Sequence, residues 1–109
     1  MPFDETLGLR IRNIVKGHPG LEEKKMFGGV GFLVNGNMAC GVHKDSLIVR
    51  VGSDNYPSAV ARPHTRPFDM TGRPMMGWVM VDPPGFTSDQ ELDLLVQQGL
   101  SFAASLPPK

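Results

Sequence analysis

The stretch KMFGGVGFLVNGNMACGVHKDSLIVRV, residues 25–51, decides the fold, because it holds three strand-like runs separated by two short polar turns. Asn35-Gly36 is a strong signal for a tight hairpin, since both central positions of a type I′ turn need a positive φ that these residues tolerate. The second turn, at residues 43–46, is looser and polar. The stretch therefore predicts a three-stranded antiparallel meander.

The whole chain has the size of one domain. It contains 109 residues, of which 40% are hydrophobic, so we expect a single core and a single domain over residues 1–109. Eleven basic and eleven acidic residues give no net charge, and no overall field attracts nucleic acid or an anionic membrane. One cysteine excludes an internal disulfide, and no apolar run has the length of a membrane span. The amino terminus lacks a signal-peptide pattern, so we expect a cytoplasmic protein.

Helical patterns flank the meander on both sides. Asp4 is placed to cap a first helix that runs to about Lys16, and a short helix is predicted over residues 55–61. The last helix opens with Ser88 and Glu91, the spacing of a capping box. These patterns place one helix before the strands, one among them and one after them.

Two further strands follow the short helix, an edge strand around residues 66–70 and an apolar run over residues 75–81. The predicted order is α-β-β-β-α-β-β-α. This order predicts a two-layer α+β fold, in which helices cover one face of a largely antiparallel five-stranded sheet. The other face would be left exposed in a monomer, which predicts a homodimer.

Catalytic residues are hard to assemble from this sequence. Alternation with period two places Met38, Cys40 and Val42 on one face of a strand and His43 on the other, so Cys40 and His43 cannot act together. We interpret Cys40 as a small core residue; a reactive thiol in a thiol-dependent enzyme is the alternative. The remaining histidines have no second ligand at metal spacing. We expect no catalytic residue, no cofactor and no metal.

Two segments are candidates for contact with a partner. The glycine-rich run after Met26 lacks the Lys-Ser/Thr of a phosphate-binding loop, so its glycines indicate a bulge or a close approach of backbones. The methionine-rich run near the only tryptophan is typical of a core or of an adaptable contact surface. The candidate interaction residues are Phe27, Gly28, Gly29, Gly31, Met75, Met76 and Trp78.

Residues 62–73 form a locally basic segment. A solvated connection explains it most simply, and binding of a small anion or of nucleic acid is the alternative. The neutral net charge and the lack of interleaved aromatic residues argue against direct nucleic-acid binding. The candidate anion-binding residues are Arg62, His64, Arg66 and Arg73.

In order along the chain, the runs KMFGGVG, NG, LIVRV, RPF and GRPM resemble the amino-terminal domain of the TfoX/Sxy proteins. The resemblance extends over essentially the whole chain and implies a two-layer α+β fold in a bacterial cytoplasmic protein. It also implies a link to the regulation of natural competence, in which full-length regulators with a second, carboxy-terminal domain act as transcriptional coactivators. It supplies no catalytic residues. We therefore expect a stand-alone amino-terminal domain that is not an enzyme and that has a protein partner in transcription regulation.

Overall fold

The computed structural model describes residues 4–26, 29–69 and 75–108. Within those ranges the chain forms three α-helices, six β-strands and one short 3₁₀ turn. In chain order these elements are α1 (Glu5–Val15), β1 (Leu21–Met26), β2 (Gly29–Val34), β3 (Asn37–His43), β4 (Ser46–Arg50), α2 (Tyr56–Val60), β5 (Thr65–Pro67), β6 (Trp78–Val81), the 3₁₀ turn (Pro83–Phe86) and α3 (Asp89–Ser105).

The strands form one sheet in the order β1-β2-β3-β4-β6-β5, and all neighbouring strands are antiparallel. The α+β class is confirmed, but the expected count of five strands is wrong, because the described residues contain six. The additional strand is β1, which pairs with β2 so that Met26 lies opposite Gly29. Its charged sequence, Glu22 to Lys25, has no apolar alternation to reveal it, and charged side chains are typical of the edge position that β1 occupies.

Both terminal helices begin where the sequence predicts. The Asp4 side chain accepts hydrogen bonds from two backbone N–H groups in the first turn of α1, at 2.9 and 3.1 Å. In α3 the Ser88 hydroxyl accepts from the Glu91 N–H at 3.1 Å, and the Glu91 carboxylate accepts from the Ser88 N–H at 3.1 Å. This reciprocal pair is the predicted capping box, which satisfies backbone donors at the start of α3.

One face of the sheet, here called the helix face, packs against all three helices. Gly99 allows α3 to lie close to β3. A methyl group at that position would overlap the carbonyl oxygen of Ala39. Strand residues such as Phe32, Leu47 and Val49 form the sheet side of this core. The helices contribute Leu7, Ile11, Val15, Tyr56, Ala59, Leu92, Val96, Leu100 and Ala103.

The opposite face, here called the second face, carries a smaller apolar cluster of Ile48, Phe68 and Met80. We expected this face to be left open, and that expectation is wrong at its centre. Phe68, which follows β5, packs there and is only 2% exposed. Among the described residues between β5 and β6, the exposed large apolar side chains are Met75 and Met76.

A β-bulge in β3 changes the predicted assignment of side chains to faces. Phe32 lies opposite Cys40 and Leu33 lies opposite Met38, so one residue of β3, Ala39, has no partner of its own in β2. Cys40 lies in the core of the helix face, whereas Met38 packs against the cluster on the second face. The prediction that Met38 shares a face with Cys40 is therefore wrong, because simple alternation fails across a bulge.

Candidate interaction surface

The most exposed part of the methionine-rich run lies at the turn that leads into β6. The Trp78 N–H donates to the Met75 carbonyl at 3.1 Å, and the Met75 N–H donates to the Phe68 carbonyl at 2.9 Å. These bonds fix the turn so that Met75 is 37% exposed and Met76 is 65% exposed, beside the half-buried Trp78. Met75, Met76 and Trp78 are called the methionine surface below.

Arg50 extends this surface with a positive charge. It lies directly opposite Trp78 across the β4–β6 pair. Its guanidinium carbon is 5.0 Å from the ring centroid of Trp78 and 5.4 Å from that of Phe102 in α3. Among the described residues, no carboxylate oxygen lies within 4.0 Å of this guanidinium. Cation–π contacts with two rings therefore hold Arg50 in place without neutralising its charge.

A small depression of about 200 Å³ lies between Arg50 and the methionine surface. Arg50, Met76, Trp78 and Phe102 line it, together with the backbone around Gly77. The structure thus brings together Met75, Met76 and Trp78 from the predicted contact residues. It adds Arg50 and Phe102, which the sequence did not single out because they come from β4 and α3.

The glycine-rich candidates occupy a different place. Phe27 and Gly28 lie outside the described residues. Gly29 and Gly31 are buried in β2, between β1 and β3. A methyl group at Gly29 would overlap the carbonyl oxygen of Val42, so this glycine serves the close approach of neighbouring strands.

The predicted anion-binding residues do not form one patch in the described structure. Arg66 in β5 pairs with the carboxylate of Asp82 at 3.3 Å, and Ser46 also donates to that carboxylate at 2.9 Å. Hydrogen bonds from Arg66, with a further contribution from Ser46, hold the pKa of Asp82 below its ordinary value. Arg66 lies opposite Met80, which belongs to the second face. Its charge is therefore already paired there, and Arg73 lies outside the described residues.

Arg62 and His64 lie on the other side of the sheet edge, beside α3. Arg62 donates from Nη1 to the Gln98 side-chain oxygen at 3.1 Å. Both residues line a cleft of about 670 Å³ between the 62–65 segment, the 3₁₀ turn and α3. Sequence reasoning missed this cleft; the available signal was Leu94, which falls outside the apolar stripe of α3 and is 65% exposed.

Cys40 has the environment of a core residue, as predicted. It is fully buried on the helix face, and burial raises the pKa of its thiol to about 12. A thiol with this pKa is almost wholly protonated at neutral pH, and the thiolate is the reactive form. Within the described ranges no group of three or more His, Cys, Asp or Glu side chains is placed to hold a metal ion.

The fold and these surfaces define a small α+β domain in which exposed apolar and cationic groups lie on and beside an antiparallel sheet. The chain belongs to the TfoX N-terminal domain family, whose model matches residues 13–103. This match confirms the resemblance seen in the sequence. No curated protein and no solved structure matches the chain. In the described part of the chain, every helix is too short or too polar to cross a membrane.

Proposed function

We propose that this domain is a non-enzymatic regulatory module, which acts in transcription control by protein–protein contact and forms a homodimer through the methionine surface. The observation that carries the proposal is the exposure of Met75 and Met76 beside Trp78. Apolar groups in a cluster on the surface are typical of contact sites, and methionine adapts its shape to different partners.

Family membership and the inert cysteine support this class of function over catalysis. The regulatory members that the sequence resembles act as transcriptional coactivators, and such a role needs a surface rather than a reaction centre. The buried thiol of Cys40 offers no nucleophile to solvent. Arg50 adds an amphipathic anchor of the type that is enriched at the energetic centres of interfaces.

The dimer is tested by sedimentation equilibrium of the native chain, of a Met75→Ser/Met76→Ser double variant and of Leu9→Ser. Leu9 is 51% exposed on α1 and provides a matched removal of surface apolar area elsewhere. We expect the native chain and Leu9→Ser to dimerise equally and the double variant to dissociate at least tenfold more readily. A native chain that sediments as a monomer at tens of micromolar would reject the dimer.

The transcriptional role is tested by affinity capture from bacterial cytosol with the same three proteins. We expect the native chain and Leu9→Ser to retain an identified transcription factor or RNA polymerase subunit that the double variant loses. Equal retention by all three would place the contact away from the methionine surface.

A further inference from the structure

The cleft beside α3 has the size and lining of a small-molecule site. Its volume of about 670 Å³ lies within the range of roughly 300–1,000 Å³ that is usual for such sites. Val81, Leu94 and Leu95 provide apolar walls. Leu94 is 65% exposed although it belongs to a helix whose apolar stripe faces the core. The side chain therefore contributes little to the core and is available to a ligand in the cleft.

The two ends of the cleft differ in charge. Glu91 lies at one end, and its Oε1 atom accepts hydrogen bonds from the Ser88 N–H at 3.1 Å and the Ser88 hydroxyl at 3.0 Å. Gln98 lies seven residues further along α3, which corresponds to about 10.5 Å along the helix axis. There it accepts a hydrogen bond from Arg62. The acidic group is thus engaged in the helix cap, and the basic group lies at the opposite end.

Arg62 has unused capacity to bind an anion. A guanidinium carries five N–H donors, and the side-chain bond shown for Arg62 is to the neutral amide of Gln98. Among the described residues, no carboxylate oxygen approaches Arg62 within 4.0 Å. A carboxylate that joined it would form a charge-assisted pair, and the planar guanidinium fork matches the two carboxylate oxygens. The α3 positions of Glu91 and Gln98 are about 10.5 Å apart along the helix axis, which exceeds the Debye length of about 8 Å at physiological ionic strength, so repulsion from Glu91 is largely screened.

We propose that this cleft binds a small monocarboxylic acid with an apolar body, its carboxylate on Arg62 and its body along Leu94, Leu95 and Val81. Among the described lining residues Arg62 is the only arginine or lysine, so free phosphate would gain that one charged contact and nothing from the apolar walls. An added peptide strand is disfavoured, because β5 has only three residues and Pro67 lacks an N–H donor. The site is separate from the methionine surface, so it does not rest on the proposed dimer.

The head group is tested by titrating the full chain with octanoate, with 1-octanol and with inorganic phosphate, followed by amide chemical shifts. We expect saturable octanoate binding with shifts in residues 62–65 and in α3, and binding of 1-octanol and phosphate at least tenfold weaker. Arg62→Gln should weaken octanoate on the order of tenfold and leave 1-octanol unchanged. The matched control is Arg12→Gln. Arg12 is an exposed arginine that pairs with Glu23 in β1, at the other edge of the sheet. This variant should leave the affinities for octanoate and for 1-octanol unchanged.

The apolar half is tested by Leu94→Ser, which should weaken octanoate and 1-octanol by similar factors of roughly threefold to tenfold, because it removes apolar contact area. Leu9→Ser should leave both unchanged. Circular dichroism checks that each variant is folded. We expect all of them to fold, because the substituted positions are exposed. The proposal is overturned if octanoate does not saturate the native chain at millimolar concentration, or if phosphate binds as tightly as octanoate. Octanoate shifts on the methionine surface, or octanoate affinity unchanged by Arg62→Gln, would overturn it too.

Discussion

The helix face and the second face of the sheet are built from the same strands, but they differ in what covers them. Three helices pack on the helix face and enclose a continuous core. On the second face no helix packs in the described structure, and Phe68 forms a small cluster with Ile48 and Met80, against which Met38 and Trp78 pack. Arg66, which pairs with Asp82, lies opposite Met80 of that cluster, and the Met75 N–H donates to the Phe68 carbonyl. The difference indicates that burial on the helix face stabilises the fold, which leaves the second face and the sheet edges free to carry contact groups.

The largest effect should come from matched truncations on the two faces. Phe32 on the helix face is 0% exposed and Phe68 on the second face is 2% exposed, so both rings are buried. Truncation of a buried phenylalanine to alanine costs about 3–5 kcal/mol, and the cost depends on how well the site collapses. We expect Phe32→Ala near the upper end and Phe68→Ala at or below the lower end, measured by urea denaturation. Equal costs would remove the distinction between the faces.

A smaller effect should follow from adding a methyl group where α3 and β3 are in close contact. Gly99→Ala places a methyl group against the backbone carbonyl of Ala39, and backbone cannot yield as a flexible side chain does. We expect a loss of about 1–3 kcal/mol in the free energy of unfolding, although alanine is the better helix former by about 1 kcal/mol. Ser101→Ala, at an exposed position of the same helix, is the control and should not destabilise the protein. A stabilising Gly99→Ala would show that α3 does not depend on this close approach.

Features of the fold that depend on residues close in sequence were predicted, whereas features that depend on pairing between strands were missed. The Asp4 cap, the Ser88 capping box and the Asn35-Gly36 hairpin are confirmed, because each rests on residues within a few positions of one another. Strand β1 was missed because its charged sequence has no apolar period. The bulge at Ala39 was missed because the sequence alone does not fix the register between β2 and β3.

The candidate sites show the same limit. Arg62 and Arg66 are four residues apart in sequence, yet one lines the cleft beside α3 and the other pairs with Asp82 on the second face. Arg62 lies before β5, in the turn that follows α2, and His64 between them has a positive φ of 60°. Strand alternation therefore does not relate the side chain of Arg62 to that of Arg66. The cleft itself combines segments around residues 62, 84 and 94, so an apolar residue outside the stripe of α3, Leu94, was the available local signal, and it does not identify the other two segments.

The Arg66–Asp82 pair should make a modest contribution that depends on pH. The pKa of Asp82 is lowered in the folded protein, so the pair stabilises the fold above the ordinary carboxyl pKa of about 3.9. That contribution is lost as the pH falls through the lowered value. Both side chains are more than a third exposed, so we expect Arg66→Gln to cost less than about 1 kcal/mol at pH 7.

The measurement for this pair is urea denaturation at pH 7 and at pH 3. The difference between the native chain and Arg66→Gln should shrink at the lower pH, where protonation of Asp82 begins to weaken the pair. Arg62→Gln is the matched control, because Arg62 has no carboxylate partner among the described residues. A difference that grows towards pH 3 would contradict the lowered pKa of Asp82.

The smallest effect on folding should come from the methionine surface itself. Met76 is 65% exposed, and substitutions at such positions usually change stability by no more than about 0.5 kcal/mol. We therefore expect Met76→Ser to leave the free energy of unfolding unchanged when measured at a concentration low enough to keep the chain monomeric. At high concentration a dimer adds stability by mass action, so the native chain should then become the more stable of the two. A difference at low concentration would show that Met76 belongs to the core of the second face. A difference that appears only at high concentration would show that an exposed methionine is retained here for association rather than for folding.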